Sequence, residues 1–123
     1  MLKDSFFTVK ETSEVEHGIT WRIALNVLHP IFQAHFAGNP VLPGACIAQM
    51  IKEIAEDFHA TTLYICAIKN MKFLHVINPL ETPDITVQMI LEKQDSGISV
   101  SAVISDKDII FSKATLFLKP VIA

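Results

Sequence analysis

The chain has few of the residues that build disulfide-braced, basic or membrane-spanning proteins. Only two cysteines occur in 123 residues, Cys46 and Cys66. Neither lies in a CxxC or Cys/His spacing, so a disulfide framework is excluded and no metal or other cofactor is expected. Their neighbours are apolar (Ala45 and Ile47, Ile65 and Ala67), which predicts buried free thiols in a reducing compartment. Long apolar runs are lacking, and none approaches the roughly 20 residues that cross a bilayer. The start, Met1-Leu2-Lys3-Asp4-Ser5, has no basic stretch leading into an apolar core, so no export signal is read there and a cytoplasmic location is expected. Charged residues make up 19%, with ten Lys+Arg against thirteen Asp+Glu. A formal charge of −3 leaves no excess of cations for phosphate backbones, so nucleic acid is not an expected partner. With four glycines and six prolines, collagenous and low-complexity classes are excluded as well.

Apolar residues are what the chain does have. They make up 50% of it, and mean hydropathy is +0.40. A mass of 13.7 kDa is that of one domain, expected to run 1–123. A globule of this size buries only about two-thirds of its extended-chain surface. Part of the apolar content is therefore expected to face a partner subunit or an apolar ligand.

Residues 6–12 are rich in β-formers and read as a strand. After the turn signal Glu16-His17-Gly18, residues 19–28 alternate. Ile19, Trp21, Ile23, Leu25 and Val27 share one face, which predicts a hairpin with the first strand. Residues 29–44 hold five of the ten prolines and glycines, together with Ile31, Phe32, Phe36, Val41 and Leu42. That combination predicts a structured loop. A helix is predicted from Pro43-Gly44 to about Phe58. Ile47, Met50, Ile51, Ile54, Ala55 and Phe58 form its apolar stripe, with Gln49, Lys52, Glu53, Glu56 and Asp57 on the remainder. Four strand-like runs follow, near 62–74, 84–94, 97–105 and 109–119, with hairpin signals at Asp95-Ser96-Gly97 and Asp106-Lys107-Asp108. One long apolar helix with about six antiparallel strands is an α+β layout.

The loop carries the chemical signal. His35 sits in a segment braced by prolines, and Pro43-Gly44 opens a helix whose first amide N–H groups have no intrahelical partner. An imidazole beside such donors is the minimum for abstracting a proton next to a polarised carbonyl. A packing or capping role for His35 is the alternative reading of the same residues.

Residues 35–44 read His35-Phe36-Ala37-Gly38-Asn39-Pro40-Val41-Leu42-Pro43-Gly44. This segment resembles the H-F-x-G-x-P-x-x-P-G signature of the β-hydroxyacyl-acyl-carrier-protein dehydratases. The likeness extends to strand order, to Leu63-Tyr64 and to the run Lys69-Asn70-Met71-Lys72-Phe73. The resemblance implies a hotdog fold, one long central helix wrapped by an antiparallel sheet, assembled as a homodimer or a multiple of dimers with sites between subunits. It implies that His35 removes the α-proton of a 3-hydroxyacyl thioester. The Gly44 N–H would bind the thioester carbonyl, and the Val41 carbonyl would orient the imidazole. The acyl chain would lie beside Phe36 and Ile47, and Lys69 and Lys72 would meet an acidic acyl carrier protein.

The chain departs from the family where an acid is needed. The carboxylate usual fourteen residues after the motif histidine is replaced by Gln49. Gln49 can hold a hydroxyl by hydrogen bonding but cannot release a proton to it. Glu53, one turn on and about 6 Å along the helix, is the candidate substitute acid, its alternative being a surface or interface charge. Ala37 replaces the family's usual proline. Three functions follow in order: a dehydratase of lipid synthesis or of a specialised polyene or polyketide pathway, a non-catalytic acyl-binding subunit, and a hotdog thioesterase.

Overall fold

The computed structural model describes residues 2–16, 18–34 and 40–121. The motif residues His35 and Phe36, together with Ala37, Gly38 and Asn39, lie outside the described residues.

The elements run β1 (Phe7–Val15), β2 (Gly18–Leu25), α1 (Pro30–Ala34), α2 (Gly44–His59), β3 (Leu63–Phe73), β4 (Asp84–Gln94), β5 (Gly97–Asp106) and β6 (Ile109–Pro120). The six strands form one antiparallel sheet in the order β1-β2-β4-β5-β6-β3. This is the expected α+β hotdog arrangement. Period-2 patterning sets its faces: Ile19, Trp21, Ile23 and Leu25 are all buried, as are Ile85, Val87 and Met89 across the β2–β4 ladder. Ile98, Val100, Ala102 and Ile104 of β5 and Leu116 and Leu118 of β6 continue that inner face.

The inner face wraps α2, whose Ile47, Met50, Ile51, Ile54 and Ala55 are each 2% exposed or less. Full burial of each large side chain in that stripe contributes roughly 1.5–3 kcal/mol. The helix ends at Ala60, which takes the left-handed conformation at φ 52°. Phe58 leaves the stripe. It is 48% exposed and lies edge-on to Trp21 at 6.2 Å.

Two differences from the sequence reading have local causes. The loop after β2 begins with the short helix α1, since Pro30 presets the helical φ and His29 Nδ1 accepts the Ile31 N–H at 3.1 Å. Phe32 then stacks on Phe6 at 4.7 Å, closing the sheet edge. Cys66, expected in the interior, is exposed because it shares the outward face of β3 with Tyr64 and Ile68, whereas Cys46 is half-buried and burial pushes its thiol pKa up.

The apolar surplus is concentrated along that edge. Tyr64 and Ile68 on β3, and Phe73, Leu74, Val76 and Leu80 at and beyond its end, are 45–72% exposed. No helix of the described residues is long and apolar enough to cross a membrane.

Candidate active site

The site is built where the Pro-rich loop meets α2. Pro43 precedes the helix in an extended conformation, φ −68° and ψ 148°, with no side-chain cap. Its carbonyl accepts the N–H groups of Cys46 and Ile47, both at 3.1 Å. Among the described residues the N–H groups of Gly44 and Ala45 have no acceptor, which leaves them as donors at the positive end of the helix. The Leu42 N–H donates to the Ile77 carbonyl at 2.8 Å, which ties the loop to the segment after β3. Between them opens a cavity of about 230 Å³, lined by Val41, Leu42, Ile47 and Phe73–Ile77. Val41 and Ile47 thus line one largely apolar pocket, and Gly44 borders it through the Phe73 ring.

Phe73 covers this pocket, a role the sequence reading missed. A Cβ added to Gly44 would stand 2.7 Å from the end of the Phe73 ring. Only glycine lets the ring approach the helix start so closely. Because Phe73 is 60% exposed, its ring can swing away. Gly44→Ala is expected to leave thermal stability nearly unchanged and to lower turnover roughly 10–100-fold by crowding the amide donor. Parallel melting curves and rate measurements check this.

Gln49 and Glu53 are brought together, in an arrangement the sequence did not reveal. Glu53 is 0% exposed, which corrects the alternative of a surface charge. The Leu2 N–H donates to both its carboxylate oxygens at 2.9 Å, and the Lys3 N–H donates to Oε1 at 2.8 Å. The Gln49 amide donates to Oε2 at 2.7 Å. Burial by itself would raise the Glu53 pKa, but the Leu2 N–H, Gln49 and the Lys3 N–H outweigh it and hold the carboxyl below its usual value. A proton donor needs the opposite shift, so the geometry does not favour Glu53 as the substitute acid. The donors on Leu2 and Lys3 are backbone groups, which leave no signature in residue type. Lys3 Nζ also pairs with Asp57, fastening the amino-terminal segment to α2.

Lys69 and Lys72 both lie exposed on β3. Lys69 Nζ is 5.4 Å from the Phe117 ring centroid, and Lys72 faces Lys113 across the β3–β6 ladder. Lys72 directly precedes Phe73 on β3, but neither lysine lines the pocket. A larger cavity of about 660 Å³ lies at the other end of α2, beside His59, Tyr64, Lys93 and Lys119. His59 is half-buried there, and burial and the Lys93 charge lower its pKa. Among the described residues no group of His, Cys, Asp and Glu could hold a metal ion.

The family model for ApeI-like proteins, described as ApeI dehydratase, matches residues 10–113. The chain belongs to the ApeI-like dehydratase family. It is 33% identical over 97 residues to the 3-hydroxyacyl-acyl-carrier-protein dehydratase FabZ of Lactiplantibacillus plantarum, covering 72% of this chain and 65% of that protein. The FabZ of Pediococcus pentosaceus is 32% identical, over 71% of this chain and 64% of that protein. The chain thus spans just under two-thirds of these relatives' length. Among solved structures, the dehydratase heterocomplex ApeI:P from Xenorhabdus doucetiae aligns with TM-score 0.72 at 17% identity, covering 90% of this chain and 96% of that one. At that identity the likeness is one of fold, the same hotdog fold.

Proposed function

We propose that this ApeI-like chain is a 3-hydroxyacyl-acyl-carrier-protein dehydratase, converting 3-hydroxyacyl thioesters to trans-2-enoyl thioesters in lipid or polyene synthesis. The observation that carries the reading is the pocket at the start of α2. A mostly apolar cavity lined by Val41, Leu42, Ile47 and Phe73 opens beside the first turn of a helix whose leading amides, Gly44 and Ala45, have no intrahelical acceptor, at the end of a loop that bears His35. His35 takes the α-proton while the Gly44 N–H stabilises the charge that builds on the thioester carbonyl. The Val41 carbonyl orients the imidazole. The acyl chain lies against Ile47 and Phe36. Gln49 holds the 3-hydroxyl, and the imidazolium formed at His35 carries the proton that the departing hydroxyl needs. Loss of the α-hydrogen and the hydroxyl together releases one water.

Lys69 and Lys72 receive the acidic carrier protein. The exposed edge of β3, with Tyr64 and Ile68, supports pairing with a second copy, so that one hotdog domain per chain gives a homodimer or a multiple of it. The free thiols of Cys46 and Cys66 support a reducing, cytoplasmic setting.

A second reading rests on Gln49. A hotdog without the family's acid is a binding subunit whose catalytic partner is another chain, and the relative from Xenorhabdus doucetiae is described as a heterocomplex. Mass spectrometry of a 3-hydroxybutyryl-carrier thioester separates the readings. Dehydration removes one water from the intact thioester, a thioesterase releases the free acid, and a binding subunit leaves the substrate unchanged.

A further inference from the structure

A buried carboxylate that touches no substrate group still has a role if the chain is a dehydratase, the reading on which this inference rests. We propose that Glu53 is a positioning residue that sets the Gln49 amide for the substrate hydroxyl. The ionised carboxylate accepts hydrogen bonds only, so it must face the NH₂ end of Gln49 and not the oxygen. Among the described residues Gln49 Oε1 accepts no hydrogen bond, and since Gln49 is only half-buried, that oxygen and the second N–H are open to a further partner. Glu53 cannot rotate to relax this contact, because Leu2 and Lys3 hold both its oxygens from the opposite side. Among the described residues its charged neighbours at this junction, Lys3 and Asp57, are paired with each other. The amino-terminal segment thereby acts on Gln49 through Glu53.

Glu53→Gln isolates the effect. Its oxygen can still accept the Leu2 and Lys3 N–H groups, but its own NH₂ can now donate to Gln49 Oε1 and allow that amide to turn over. The expected result is a kcat lowered about 10–100-fold with KM within about twofold, since only the arrangement around the leaving hydroxyl changes. In a Gln49→Ala background the same Glu53→Gln change is expected to alter kcat less than about twofold, because the side chain it acts through is gone. A full loss in both backgrounds overturns the inference and makes Glu53 act on its own, while equal rates for wild type and Glu53→Gln overturn it and leave the dehydratase reading standing. A wild type without turnover on any 3-hydroxyacyl carrier thioester overturns both.

Should Glu53→Gln fail to fold, the wild type suffices. Its Gln49 side-chain amide signal in nuclear magnetic resonance should shift as pH falls through the lowered Glu53 pKa, because protonating the carboxylate removes an acceptor that holds that amide. A Gln49 amide signal that stays in place through the Glu53 titration overturns the inference.

Discussion

Exchanging the two polar residues of α2, Gln49→Glu together with Glu53→Gln, will raise the dehydration rate roughly 10²–10⁴-fold. The exchange puts a carboxylic acid at position 49, where the resemblance to the dehydratases places the acid, and leaves net charge unchanged. It also keeps the contacts of the buried junction. The glutamine introduced at position 53 would accept the Leu2 and Lys3 N–H groups that Glu53 now accepts. Its NH₂ would donate to the carboxylate introduced at position 49, across the contact that now measures 2.7 Å. Gln49→Glu alone sets two carboxylates at that separation in a buried site, where one must keep a proton. The single variant should therefore be less stable than the exchange and titrate as a pair. Steady-state rates of wild type, both single variants and the exchange decide the matter. No gain in the exchange, with the full loss in Glu53→Gln, would return the acid role to Glu53.

His35→Ala will lower turnover by roughly 10²–10⁴-fold or more, the span expected if, as proposed, the imidazole removes the α-proton. Thermal stability should change little, because the core is built by the sheet and α2, around Ile51, Ile54, Ile85 and Leu116. Equal rates for wild type and His35→Ala, at equal substrate saturation, would remove the imidazole from the mechanism and with it the meaning of the motif.

The fold was legible because its signals are periodic. Alternation in β2 and the stripe Ile47-Met50-Ile51-Ile54 are burial patterns written directly in residue type, and the structure buries those side chains. The short helix α1 was missed because the Pro and Gly content of residues 29–44 outweighs five residues capped by one histidine nitrogen. The site was legible in part. Pro43-Gly44 as a helix start with free donors follows from the chemistry of prolines and helix ends. Glu53 looked like surface because its helix position borders the apolar stripe, and what covers it is the backbone of Leu2 and Lys3, about fifty residues away. Phe73 over Gly44 is likewise a contact between distant segments. Both belong to packing, which a single sequence does not spell out.

The most direct test is the hydration of a crotonyl-carrier thioester, run in the reverse direction of the proposed reaction. Wild-type protein should remove the enoyl absorbance without releasing free thiol, and His35→Ala should do so at least about a hundredfold more slowly. Thiol release with the enoyl group intact, or no change at all beside an active dehydratase control, would contradict the account.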